Sequence, residues 1–414
     1  MHTPRPHTER PRRGFNSVEL LAATVCTGIL VTLLTPAVAQ ARRGGTTTAS
    51  LDNLRVLGTA HVIYSANHNG RQFTVVPDDI SAYGNNPHSA YSNYRLQVDP
   101  NLRGVILGWG ELINGDDIVL HEYRPSVSVT NARLLEPYVF SNNGTILGLG
   151  ASRFPNMRQF NTYVGGSFYN PVFYSPNDPV VSPLVEPLID SPFEYVPVAN
   201  GSPYPYFSSY SLSAAAMFSP DVMRRRSMER EDVVGGWTNP WTIDHGFESP
   251  GLFDARHPSL KTHMIEHHWL QNAPENPCNP SFDFPVYGGC EPYYFNHGMA
   301  SAPATVFYDG STRLLPTAEA VASDDTIRRQ SGGLDGTWSR TTSTGEDGYF
   351  SDQAADGTRV SHHMLTADGI LGRDTLGPDA NRRAPRPLEA DPRPAKPRTP
   401  DSPIRILDQS APRD

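Results

Sequence analysis

Charge is scarce in this chain, and sulfur scarcer. Charged side chains make up 19% of the 414 residues, against 39 prolines, 34 glycines and 18 tyrosines. That balance suits an exported, turn-rich β protein better than a helical cytosolic enzyme. A net charge of -9 and a pI near 5.9 argue against a nucleic-acid surface, so no nucleic-acid partner is expected. No internal repeat stands out. Asp78-Asp79, Asp116-Asp117 and Asp324-Asp325 are acidic pairs without the oxygen-ligand periodicity of a calcium loop. Calcium is left open without a motif, and no cofactor is expected. The length accommodates one large domain or two ordinary ones.

Three cysteines limit redox chemistry. Cys26 lies in an apolar run, where a thiol acts as a small buried hydrophobe. Cys278 and Cys290 flank a short Pro- and Gly-containing loop, Asn279–Gly289. Outside the cytoplasm a disulfide between them is expected; two unpaired thiols are the alternative.

One long apolar run is present. It follows Gly14-Phe15-Asn16-Ser17-Val18-Glu19 and continues to Ala39 through Leu20, Leu21, Val25, Ile29, Leu30, Val31, Leu33 and Leu34. That is about the length a bilayer-spanning helix needs. Glu19 is its one charge, and a charge there is expensive in lipid and usually marks a partner. Three readings compete. A removable secretory signal would use Ala37-Val38-Ala39 for cleavage. A twin-arginine address would use Arg12-Arg13-Gly14-Phe15. The third reading is the only one with a use for Glu19. A basic leader, Gly14, aromatic Phe15, Glu19 four residues later, an apolar helix and Pro36 together resemble the N-terminus of type IV pilins and type II secretion pseudopilins.

The resemblance implies that a prepilin peptidase cuts between Gly14 and Phe15 and that Phe15 is then N-methylated. It implies that Glu19 pairs with a neighbouring subunit's new N-terminal amine, since a buried charge needs an opposite partner. Residues 1–14 are then a leader, and 15–39 a transmembrane and filament-core helix. The implied location is the inner membrane, single-pass, with an extracytoplasmic head. The implied partners are the peptidase, other subunits and the membrane, and no enzyme activity is implied.

Leu51, Leu54, Leu57, His61 and Tyr64 recur at spacings of three to four, so residues 40–70 read as an amphipathic continuation of the helix, stopped at Asn69-Gly70. Ser50 to Tyr64 also resembles the stretch after the anchor in large pilin-like proteins of planctomycete-type bacteria. Gly44-Gly45 predicts a break or kink. Residues 71–375 read as an antiparallel, loop-rich β head, with short apolar runs at 103–109 and 145–149 and long ordered loops over 167–210. A second helix is expected near 258–270. The fold class expected is α+β: a long helix, transmembrane then amphipathic, packed on a β-sheet head. Residues 376–414, rich in Pro, Arg and Asp, read as a disordered tail.

Two late features carry chemistry or geometry. His263-Met264-Ile265-Glu266-His267 matches H-x-x-E-H. On a helix His263 and His267 would share a face as zinc ligands with Glu266 as base, which makes an exported, tethered metal-dependent hydrolase or binding module the rival to a pilin-like subunit. No third ligand stands in a recognisable context, and a solvated polar face is the simpler reading. Thr305–Tyr308, Asp309-Gly310 and Arg313–Leu315 spell a hairpin. Asn296-His297-Gly298 with Asp309-Gly310-Ser311, and Ser361 to Asp374, resemble late elements of the same pilin-like proteins.

Overall fold

The computed structural model describes residues 16–75, 79–98, 105–112, 117–123, 136–138, 150–178, 181–197, 205–225, 236–266, 302–333, 336–339 and 362–378. Gly14, Phe15, Cys278, Cys290, His267, the 145–149 run, the Asn296–Gly298 element and the tail from 379 onward lie outside these residues.

Helix α1 runs over Ser17–Asn67 without interruption, 51 residues or about 75 Å of rise. Gly44 and Gly45 are helical, so the expected break is absent; a Cβ at either would meet nothing within 4 Å, and no tertiary contact forces the chain apart there. The transmembrane assignment is also overturned. Among the described residues no helix is long and apolar enough to cross a membrane. Thr24, Thr27, Gly28 and Thr32 interrupt the leucines and valines, and Gln40, Arg42 and Arg43 follow within the same helix.

Beyond α1 the fold mixes helices with antiparallel sheets. Helix α2 spans Pro87–Gln97, capped by Asn86, whose side chain accepts from the Ser89 N–H. Strands β1 (Val105–Glu111) and β2 (Ile118–Tyr123) form a two-stranded ribbon. One-turn helices α3 (Arg158–Asn161), α4 (Ser182–Val185) and α5 (Ala214–Met217) interrupt the long loops. A second small ribbon joins β4 (Met223–Arg224) to β5 (Gly236–Trp237).

The main sheet has the order β3-β6-β7-β8 and is antiparallel throughout. Its strands are β3 (Tyr210–Leu212), β6 (Thr262–Glu266), β7 (Ala304–Phe307) and β8 (Thr312–Leu314). The hairpin at Asp309-Gly310 forms, with Gly310 at φ 79° and the Asp309 carboxylate accepting from the Ser311 N–H (2.9 Å). The helix expected near 258–270 does not: Thr262–Glu266 is an interior strand, buried at every residue. A strand covered on both faces loses the alternation that identifies it, and His263 and His267 at a four-residue spacing imitate a helical face. Helix α6 (Thr317–Gln330) follows the hairpin.

Helix α1 lies across β6, β7 and β8. Gly58 permits this approach: a Cβ there would stand 3.3 Å from Val306 Cγ2. Leu54, Leu57, Tyr64, Phe73 and Phe160 join one continuous core with the sheet. The segment 362–378 closes the far end, where the Asp374 N–H donates to the Leu260 carbonyl (2.9 Å) and the Ser213 hydroxyl to the His363 carbonyl (3.1 Å).

Candidate functional site at the junction of the long helix and the sheet

Helix α1 changes character at Ser50. From Asn16 to Ala49 every described side chain is exposed or half-buried, including Leu20, Leu21 and Val25, each more than half exposed. Thr24, Thr46 and Thr48 return their hydroxyls to carbonyls four residues back, satisfying themselves within the helix. From Ser50 onward one stripe is buried: Ser50, Leu54, Leu57, His61 and Tyr64. The first half projects; the second half is the spine of the head.

The transition is marked by a buried polar knot. Glu266, at the end of β6, accepts at Oε1 from the hydroxyls of Ser50 and Ser175 (the latter at 2.6 Å) and at Oε2 from the Ala304 N–H (2.7 Å). The Tyr210 hydroxyl lies 2.9 Å from Ser50 Oγ, and Asn53 Nδ2 donates to it (3.4 Å) and to the Tyr174 carbonyl (3.2 Å). Asp178 accepts from the Ser209 hydroxyl (2.6 Å) nearby. Burial pushes the Glu266 carboxyl up to about 7; its three hydrogen bonds oppose the rise and the Asp178 charge adds to it. Burial also raises the Tyr210 phenol, with the Glu266 charge as second cause. Helix α1, the loop at Ser175 and strand β7 thus meet on the carboxyl group that β6 supplies, with Tyr210 of β3 joined to it through Ser50.

A second cluster lies further along α1. His61 and His263 approach with ring centroids 4.6 Å apart, His61 stacks on Phe160 at 4.5 Å, and Tyr308 lies 4.7 Å from His263. His61 Nε2 accepts weakly from the Phe73 N–H (3.4 Å), which puts the ring proton on Nδ1. Among the described residues, His61 Nδ1 and His263 Nε2 have no hydrogen-bond partner. Burial holds both imidazoles below their usual range, His263 down to about 3, and His263 adds to the lowering at His61.

His263 and Glu266 therefore do not act together. They meet α1 at His61 and Ser50, eleven residues apart, which is roughly 16 Å of helix. Both are buried in a strand, not aligned on a helix. Among the described residues no group of three or more metal-ligating side chains occurs. Of the acidic residues weighed for calcium, Asp79 accepts from the Ser81 N–H and hydroxyl, and buried Asp324 accepts from the N–H groups of Thr337 and Trp338. The backbone of Glu19 belongs to the first turn of α1. Cys26 is exposed on the projecting half, not buried as its apolar neighbours suggested.

Ser50, Ser175 and Tyr210 escape a reading of the sequence because each is an ordinary polar residue whose partner lies 91 to 216 residues away. Ser50 offered one signal: it opens the apolar stripe of α1. No protein-family model, curated protein or solved structure matches this chain.

Proposed function

We propose that the chain is a pilin-like structural subunit that assembles with other subunits through the projecting half of α1. The observation that carries this reading is the two-part helix. An unbroken α1 leaves the head at Ser50 and presents Leu20, Leu21 and Val25 to solvent, each more than half exposed. Exposed large apolar side chains on an extended helix are the substrate for helix–helix packing between copies. The resemblance at Gly14, Phe15 and Glu19 supplies the rest of the proposal. A prepilin peptidase cuts between Gly14 and Phe15, Phe15 is N-methylated, and Glu19 pairs with the new amine of a neighbour in a pseudopilus or surface filament outside the cytoplasm. The anchored hydrolase reading finds no geometric support, since His263 and Glu266 are solvent-excluded and address different turns of α1.

N-terminal sequencing of the mature protein tests the reading directly. N-methyl-Phe15 is expected; a start near Gln40 would point to a removed signal and sink it. Gly14→Ala should block the cut, whereas Glu19→Ala should leave the cut intact and reduce filament yield. Normal filaments from the Glu19 variant would remove the pairing step.

A further inference from the structure

Of the 34 basic residues in the chain only Lys261 and Lys396 are lysines; the remainder are arginines. Lys261 is the one inside the described structure, and it is fully buried beside an equally buried Asp374. An arginine would make the better permanent ion pair, with its fixed charge and forked donors. A lysine differs in that its amine sheds its proton on burial and becomes a nucleophile. The immediate surroundings match that difference. Lys261 Nζ lies 3.1 Å from Asp374 Oδ2 and 3.4 Å from Oδ1, and donates to Thr366 Oγ1 at 2.8 Å. The Thr366 hydroxyl in turn donates to Asp374 Oδ1. The Thr262 N–H donates to Oδ2 at 2.9 Å.

We propose that Lys261 and Asp374 condense into an intramolecular isopeptide bond, with Thr366 as the proton relay. Burial holds the Lys261 amine below its ordinary range, against the opposing pull of the Asp374 charge, and so favours passing its proton to Oδ1 of the carboxylate beside it. The neutral amine attacks Cγ of the neutral acid. As Cγ becomes tetrahedral, the Thr262 N–H faces Oδ2, where negative charge develops. Thr366 Oγ1 accepts a proton from Nζ and passes its own to Oδ1; the Cγ–Oδ1 bond breaks and one water leaves. Nothing is oxidised or reduced, and no co-reactant is needed. The closed surroundings exclude the water that would reverse the step. The bond would join the start of β6 to the C-terminal segment, 113 residues apart, and stands independently of the assembly reading.

Tryptic mapping of the denatured full-length protein decides the matter. Expected is no cut after Lys261 and a branched peptide containing Asp374, lighter by one water than the sum of its two parts. Cleavage after Lys261 with both peptides at unmodified mass would overturn the bond. So would loss of water confined to an Asp-Gly pair such as Asp309-Gly310 or Asp368-Gly369, with Lys261 still cut, since that marks a succinimide. Thr366→Val keeps the side-chain shape and removes the relay. It should yield the uncrosslinked peptides, and crosslinking at the wild-type rate would overturn the role given to Thr366.

Discussion

A carboxyl group that leaves water on folding must keep its proton or find strong partners, and Glu266 does some of each. Its folded value of about 7 stands above the ordinary 4.5. The folded state therefore holds more protons than the unfolded state between those limits. Stability is fully present below pH 4.5 and declines as pH rises through about 7, by about 3 kcal/mol from this group alone. Glu266→Gln imitates the protonated form, with its carbonyl toward the Ala304 N–H and its amide toward Ser50 and Ser175. Thermal midpoints across that pH window should decline for the wild type and flatten in the variant; an unchanged slope would place the titrating group elsewhere. The histidine pair has the opposite sign. Both imidazoles are held neutral, so their contribution is present above 6.5 and is lost as pH falls toward the value of about 3 at His263. His61→Phe keeps a ring in the stack with Phe73 and Phe160 and deletes a group that must charge, so the acid midpoint should move to lower pH. An acid midpoint that stays put would clear His61 of that role.

Among the elements, α1 makes two kinds of contact, and its glycines separate them. Gly58 sits where the helix presses on Val306, and a side chain there must push the Val306 side chain aside. Gly58→Leu should lose about 1–3 kcal/mol by overpacking, read as a fall in the denaturant midpoint at constant slope. Gly44→Ala with Gly45→Ala meets open space on both counts, and should firm the helix by about 1 kcal/mol per site. Amide exchange in the projecting half should slow while the head's unfolding midpoint stays where it was. The same contrast explains what could be read in advance. The stripe from Leu51 to Tyr64 and the turn at Asp309-Gly310 are local patterns, and both were legible. The apolar run before them suggested a membrane span, because leucine and valine counts outweighed the threonines and the glycine between them. Strand β6 was misread, because an interior strand has no solvent-facing side and the four-residue spacing of His263 and His267 in the sequence mimicked a helical face. The Glu266 knot was invisible for a third reason: it is assembled from α1, the loop at Ser175, β3, β6 and β7, and no sequence neighbour announces it.

For the molecule as a whole, the question is whether the projecting half of α1 belongs to the fold or to the assembly. Every described side chain from Asn16 to Ala49 is exposed or half-buried, while Ser50 is completely buried and hydrogen-bonded to Glu266 and Tyr210. A chain starting at Thr47 keeps that knot and all of the buried stripe, so its head should unfold at the same temperature as the full-length protein. A chain starting at Leu57 loses Ser50 and Leu54 together. One buried leucine is worth about 2–5 kcal/mol, and an orphaned Glu266 adds a further few, against a total stability of about 5–15 kcal/mol for a domain. That second chain should fail to fold cooperatively. Association should divide along the other line: the full-length protein forms higher oligomers in sedimentation, and the chain starting at Thr47 remains a monomer. Equal association by both would move the contact surface from the projecting helix to the head, and would remove the observation on which the subunit reading rests.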